Sequence, residues 1–393
     1  MLPTMSTERP TPDLPRILIF RKRMLPYSET FVAAPATYLT RWVPVFSGAT
    51  LDKSGYSLLK DADACILSQN VFFPWRSLTT RLFKSRGWIP GRWLKALKSF
   101  RPKLIHVHFG PDALFMGVPL AKALNIPLVV TFHGFDITIN KPESAYQKLR
   151  PQLFEKATKV IAVSRYIQNQ LIAYGCPPEK IVTHYIGIDL EQFRPLEADT
   201  KRNDIVFTGR LTEKKGCRYL IEAVIRLHDS GLTPKLHLIG DGGLREELEK
   251  LASPLGSHVI FHGSQSPDFV REMVGRAAVF CAPSVTGRNG DSEGLGMVNL
   301  EAMALGTPVV STLHAAIPEA VIHEETGILV PEHDSEALAI ALTRLLTDEN
   351  LAQEFGQKGI AHVRRNFDLK TQCIKLESIY DELIADPLTR IDT

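Results

Sequence analysis

The stretch DIVFTGRLTEKKGCRYLIEAVIRLHDSGLTPKLHLIG, residues 204–240, reads as strand, helix, strand. Positions 204–208 and 235–240 are short runs rich in Ile, Val, Leu and Phe, and Gly209 and Gly240 punctuate them. Between them a helical pattern opens at Gly216 and supplies the crossover that two parallel strands require. The same alternation recurs outward, at 16–20, 104–108, 127–132 and 159–163 on one side and at 258–262, 278–282 and 307–311 on the other. Strands alternating with helices in this way specify an α/β fold with parallel sheets.

The runs fall into two groups. Between them, IGIDLEQFRPLEADTKRND (186–204) carries proline and charge without periodicity, so a boundary is expected near 190–203. A chain of 393 residues also exceeds what one hydrophobic core usually organises. The expected division is a flexible leader over 1–15, a first α/β domain over 16–195, a second over 204–365, and a C-terminal helix over 366–393 that crosses back to the first. Ligands of open α/β sheets bind outside the carboxyl ends of the strands, so two such sheets facing each other are expected to form a cleft.

Composition narrows the class. With 44% apolar and 23% charged residues the chain is globular rather than fibrous or disordered, and a net charge of +3 does not single out nucleic acid. Cys65, Cys176, Cys217, Cys281 and Cys373 are scattered and form no CxxC pair, which indicates neither a disulfide framework nor a zinc knuckle and fits a reducing compartment. The start carries no signal-peptide core, and no run reaches the ~18 apolar residues of a spanning helix. A cytoplasmic protein is expected.

The chemistry concentrates in GDSEGLGMVNLEAMALGTPVVST (290–312). Glu293 is followed by Gly294 and Gly296, which permit close backbone approach to a ligand, and then by a helical pattern that ends at Gly306. A loop feeding a helix N-terminus offers free amides and a positive dipole end, which suits a diphosphate. Glu301, near the start of that helix, can accept hydrogen bonds from two vicinal ribose hydroxyls, and Glu293 in the loop sits nearer a transferred sugar. Two carboxylates beside a diphosphate repel it, so cations are required. Arg210 and Lys215, in GRLTEKKGCRYLIEA (209–223), supply them and offset the charge that grows on a departing diphosphate. Taken singly, each of these residues reads as a surface or cap charge; the ordered set points to a nucleotide-sugar site.

This ordered set resembles the retaining group 1 glycosyltransferases, which have two facing Rossmann-like domains (GT-B) and a glutamate, seven residues, glutamate signature. IGDGGLREELEKL (239–251), FHGSQSPDFV (261–270) and FCAPS (280–284) are similar to their family counterparts. The resemblance implies that Arg210 and Lys215 grip the diphosphate, Glu301 holds the ribose and Glu293 contacts the sugar. It further implies that backbone groups of Gly294, Leu295, Gly296 and Met297 face the phosphates and sugar, and that 262–266 neighbours the base. His133, in PLVVTFHGFDITIN (127–140), matches a family histidine near the donor sugar, and Asp136 lies close behind it. RILIFRKRMLPYSETF (16–31) departs from members with a glycine-rich first loop. Together with HVHFG and FHGFD, it resembles bacterial enzymes of exopolysaccharide and colanic-acid assembly, with Ser28, Glu29 and Thr30 as candidate contacts.

The reaction so implied moves a hexose, from a UDP-sugar by preference, to a lipid-linked or growing glycan with retention. Retention is open to double displacement through Glu293 or Asp136, or to same-face attack assisted by the departing diphosphate; the second needs no protein nucleophile and is preferred. A soluble transferase making a small glycoside, or a catalytically silent nucleotide-sugar-binding regulator of a glycan assembly complex, are the alternatives. No cofactor or essential metal is expected. His106 and His108 share one side of a strand without a third ligand, and the Asp61/Asp63 pair precedes an apolar run rather than following a strand.

Residues 71–111 carry no acidic side chain but nine basic ones, among them Arg81, Arg92, Lys95, Lys98, Arg101 and Lys103, interleaved with Trp75, Trp88 and Trp93. Charge with interfacial aromatics suits an anionic lipid surface, so peripheral attachment to the inner face of the cytoplasmic membrane is expected. The opposing reading turns the tryptophans into the core. No stacking module accompanies the patch, so nucleic acid is not an expected partner.

Overall fold

The structure is a computed structural model and describes residues 14–25, 29–52, 55, 62–69, 81–83, 87–196 and 204–385. By compactness it divides into two units. The first holds the described residues up to Val130, Glu155–Lys159 and the chain from Cys373; the second holds Thr131–Phe154 and Val160–Gln372.

In the first unit, β1 (Arg16–Phe20), β3 (Val43–Gly48), β5 (Asp63–Ile66) and β6 (Pro102–His108) pair in parallel in the order β5-β3-β1-β6. A small parallel pair, β2 (Arg23–Met24) with β4 (Thr50–Leu51), lies beside them in sequence. Ile17, Leu18, Ile19 and Phe20 are buried, as are Val45, Phe46, Leu104, Ile105 and Val107. The runs at 16–20 and 104–108 foretell two of these strands; β3 and β5 are additions. Pro44 hid β3, because proline is normally kept out of sheet interiors. Here β5 begins its pairing only at Val45, so Pro44 has no ladder to serve on that side.

The helix Leu369–Ala385 enters this unit at Cys373. Glu377, fully buried, accepts from the amides of Thr40 and Arg41, both at 2.6 Å. Trp42 Nε1 donates to Asp381 at 2.8 Å, and the buried His106 Nδ1 lies 2.6 Å from Tyr380 Oη.

The unit boundary falls inside β7 (Leu128–Phe132). In the second unit β8 (Lys159–Ala162) pairs in parallel with β9 (Ile181–Thr183). Six more parallel strands form one sheet: β10 (Asp204–Thr208), β11 (Lys235–Ile239), β12 (Val259–Gly263), β13 (Val279–Ala282), β14 (Val309–Thr312) and β15 (Gly327–Val330). Their order is β12-β11-β10-β13-β14-β15. Alternation along β10 builds both faces: Ile205 and Phe207 pack with the helices Cys217–Asp229 and Ser335–Thr347, and Val206 packs with Met297–Ala304 and Glu349–Asn366. Strand order reverses between β10 and β13, and a crevice at such a switch point is where doubly wound sheets take ligands. Both parallel sheets are Rossmann-like. No helix among the described residues is long and apolar enough to cross a membrane.

Candidate active site

The loops leaving β10 and β13 at their carboxyl ends are tied together. Gly216, at φ 64°, caps the helix Cys217–Asp229, and a Cβ there would stand 1.8 Å from the Pro283 carbonyl, so only glycine lets the two loops meet. Val285 N donates to Lys214 O at 2.8 Å. Ion pairs continue the contact, Lys214 to Asp291 at 2.9 Å and Lys215 to Glu293 at 2.9 Å. Gly296, at φ 81°, then starts the helix Met297–Ala304, which places Glu301 fifth in that helix, just past its first turn and close to the start as expected. Leu295 is buried, and Arg210 is exposed at the mouth of the β10 loop.

The two carboxyls of the signature are opposites electrostatically. Burial pushes Glu293 up, but Lys215 and Lys214 outweigh it and hold the group at about 2. Burial also pushes Glu301 up, Lys215 opposes only weakly, and its carboxyl is left at about 7. Lys215 is therefore shared, and Glu293 takes most of it.

The end of β7 meets this loop within the same unit. Asp136 Oδ1 accepts from the amides of His133 and Gly134, both at 3.0 Å. Ser292 N donates to Thr138 Oγ1 at 3.2 Å, and Asn140 N to Asn289 O at 2.8 Å. A Cβ on Gly294 would stand 1.9 Å from the His133 carbonyl. The sequence reading gave the backbone of Gly294 to a ligand; its missing side chain also admits another loop of the protein. Asp136, read as a substrate contact, is buried and spends Oδ1 on its own turn.

Glu29, a candidate contact in sequence, is engaged within the protein. Arg21 takes both its oxygens, Nε to Oε2 at 2.9 Å and Nη2 to Oε1 at 2.8 Å, while Nη1 reaches Asp112 at 2.5 Å and the guanidinium lies 4.0 Å from the Phe109 ring centroid. This bidentate cluster follows β1, where family members often carry glycines. Ser28 and Asp61 lie outside the described residues, and Asp63 opens β5. His106 and His108 are buried with rings stacked 4.5 Å apart, as sheet packing.

The sequence model described as glycosyl transferases group 1 matches residues 189–362, and that of Glycosyltransferase Family 4 matches 59–192. The chain belongs to the group 1 glycosyltransferase family. A putative colanic acid biosynthesis glycosyltransferase, WcaL of Escherichia coli (strain K12), is 37% identical over 262 residues, 64% of each chain. The amylovoran biosynthesis glycosyltransferase AmsK of Erwinia amylovora is 36% identical over 257 residues, 64% of this chain and 63% of its own. Both matches span under two thirds of those relatives. In fold, the chain is similar to Anabaena Alr3699/HepE, crystallised with UDP and glucose, at TM-score 0.75 and 20% identity, covering 93% of this chain and 99% of that one.

In this group 1 chain the structure brings together Lys215, Glu293, Glu301, the Gly294–Met297 turn and the His133 loop, all in one unit. It adds residues that no motif signalled. His314, in STLHAAIPEA (311–320), and Glu332, in LVPEHD (329–334), hydrogen-bond to each other at 2.7 Å and lie against the Glu293 loop. A lone histidine between apolar residues carries no periodic or spacing signal, so only the fold reveals it.

Proposed function

We propose that the chain is a retaining hexosyltransferase. It moves a sugar from a nucleotide diphosphate, a UDP-sugar first, to a lipid-linked or growing glycan in cell-surface polysaccharide synthesis. The single observation that carries the reading is the Lys215–Glu293 pair at 2.9 Å, standing before a glycine-started helix with Glu301 behind it. A diphosphate arriving there meets the helix dipole and competes with Glu293 for Lys215, leaving the carboxylate for the sugar hydroxyls. Arg210 adds the second cation, so the leaving group needs no metal. His133 stands at the sugar end. Retention follows by same-face attack, with the departing phosphate taking the acceptor proton, because Glu293 is engaged by the sugar hydroxyls and Asp136 by its own turn.

UDP is preferred because the Anabaena fold neighbour holds it, and the glycan class because the E. coli and Erwinia relatives are named for colanic acid and amylovoran. The acceptor is reached at the inner membrane surface. Arg92, Lys95 and Lys98 recur every third residue on the exposed side of the helix Gly91–Ser99, with Trp88 half-exposed nearby in sequence. Trp93 is not part of that surface: it is buried, and its Nε1 donates to Cys65 O at 3.1 Å.

A thermal-shift screen of UDP-, GDP- and ADP-sugars selects the donor, since a ligand of the native state alone raises its stability. Transfer to lipid-extracted acceptors, insensitive to chelator and abolished by Lys215→Ala, is the expected result. Binding without turnover over a broad acceptor panel, unchanged by Glu293→Ala, would identify a silent regulator instead. Sedimentation with anionic vesicles should fall with salt and with Lys95→Glu/Lys98→Glu; equal binding to neutral vesicles would remove the membrane assignment.

A further inference from the structure

The loops after β13, β14 and β15 are cross-braced through one imidazole. His314 is fully buried; its Nε2 accepts the main-chain N–H of Glu293 at 3.1 Å, and its other nitrogen, Nδ1, lies 2.7 Å from Glu332 Oε1. Nε2 faces a donor and so acts as the acceptor, which leaves Nδ1–H to donate to the carboxylate. Glu332 is itself pinned: Oε2 accepts from Thr286 N at 2.7 Å and Oε1 from Thr286 Oγ1 at 3.2 Å. Burial pushes the Glu332 carboxyl up, but the Thr286 amide and His314 hold it below its ordinary value, so it stays charged.

The backbone bends sharply to present both groups. Ala315, directly after His314, has φ 48°, and His333, directly after Glu332, has φ 63°. Such left-handed turns cost a non-glycine residue free energy and persist where surroundings over-determine them. Glu293, by contrast, lies among Gly287, Gly290, Gly294 and Gly296, a loop with little stiffness of its own.

We propose that His314 and Glu332 are positioning residues, which fix the main chain of Glu293 so that its carboxylate stands against Lys215 and the donor sugar. The catalytic half of this inference rests on the transferase reading above; the structural half does not. Neither residue is asked to touch substrate. Their effect is to keep a glycine-rich loop in the one arrangement in which Glu293 is useful, and a displacement of about 1 Å there costs on the order of a hundredfold in rate.

The test uses the full chain and two readouts. Amide exchange at Glu293 should speed about tenfold or more in His314→Ala, as a buried hydrogen bond is lost. In the same variant kcat should fall about tenfold or more with the donor KM within about threefold, the pattern of an interaction that acts in the transition state. His314→Gln, whose amide oxygen can accept the Glu293 N–H, should recover most of both. If the alanine variant does not fold, Glu332→Gln, nearly isosteric, should move both readouts in the same direction by less. Unchanged exchange and unchanged kcat in His314→Ala would overturn the proposal. Faster exchange in a protein whose wild type has no turnover would support the positioning and remove the transferase reading.

Discussion

At the residue scale, one lysine divides two carboxyls, and pH separates them. Glu301, at about 7, is raised above its unfolded value near 4.5, so its contribution to stability is full below about 4.5 and is lost as pH rises through 7. Ribose binding asks for the charged form. Affinity for the selected nucleotide sugar should therefore climb close to tenfold per pH unit below about 7 and level off above it. Calorimetric titration from pH 5.5 to 8.5 checks this, and a flat profile, or one that Glu301→Gln leaves sloping, would refute it. Glu293, held at about 2, behaves in the opposite sense: its contribution is present above about 4.5 and lost as pH falls through about 2. Lys215→Met leaves that carboxylate buried with less compensation, so the variant should lose roughly 3 kcal/mol at pH 7 in denaturant unfolding. The deficit should shrink in acid; a deficit independent of pH would deny the pair this role. The signature spacing made both glutamates legible in the sequence. Their unequal shares of Lys215 were not, since the division depends on a 2.9 Å contact between positions 78 apart in the chain, 215 and 293.

At the element scale, the strands were legible where Ile, Val and Phe runs end at glycine, as at 204–208 and 235–239, because period and punctuation agree there. Strand β9, three residues long, offers too few positions for a period to register. The meeting of loops was equally hidden. Gly294 reads in sequence as room for a ligand, yet its absent Cβ is what lets the β13 loop approach the β7 loop. Gly294→Ala must push apart a contact that would be 1.9 Å, against backbone that cannot rotate away. The expected cost is about 1–3 kcal/mol of stability, as for other overpacked sites, with transfer reduced about a hundredfold. Thermal unfolding and donor turnover measure both. An alanine variant with native melting but reduced turnover would give the space at Gly294 to the ligand rather than to the loop contact, and native values of both would deny the contact.

At the scale of the whole molecule, the chain leaves its first unit inside β7, touches it again at Glu155–Lys159 and returns to it at Cys373, so that unit is closed by a segment far along the chain from its strands. The helix had an apolar period that any reading would find. That it crosses back to the first domain is the sequence expectation; which residues it meets there was not readable, because the partners of Glu377 and Asp381 are Thr40, Arg41 and Trp42, over 330 positions away. Glu377 is the critical contact. Its buried carboxylate satisfies two main-chain amides at 2.6 Å, and Glu377→Ala leaves both without an acceptor. Thr40 is exposed and Arg41 part-buried, so water takes over part of the lost bonding, and the variant should lose about 1–3 kcal/mol. The loss should be local. Hydrogen exchange in β1, β3 and β6 should quicken, while β10 to β15, built on their own two core clusters, keep their protection. Glu377→Gln, which retains one acceptor oxygen, should fall between. A loss of protection spread evenly over both sheets would mean that the late helix stabilises the chain as one cooperative body rather than sealing the first unit.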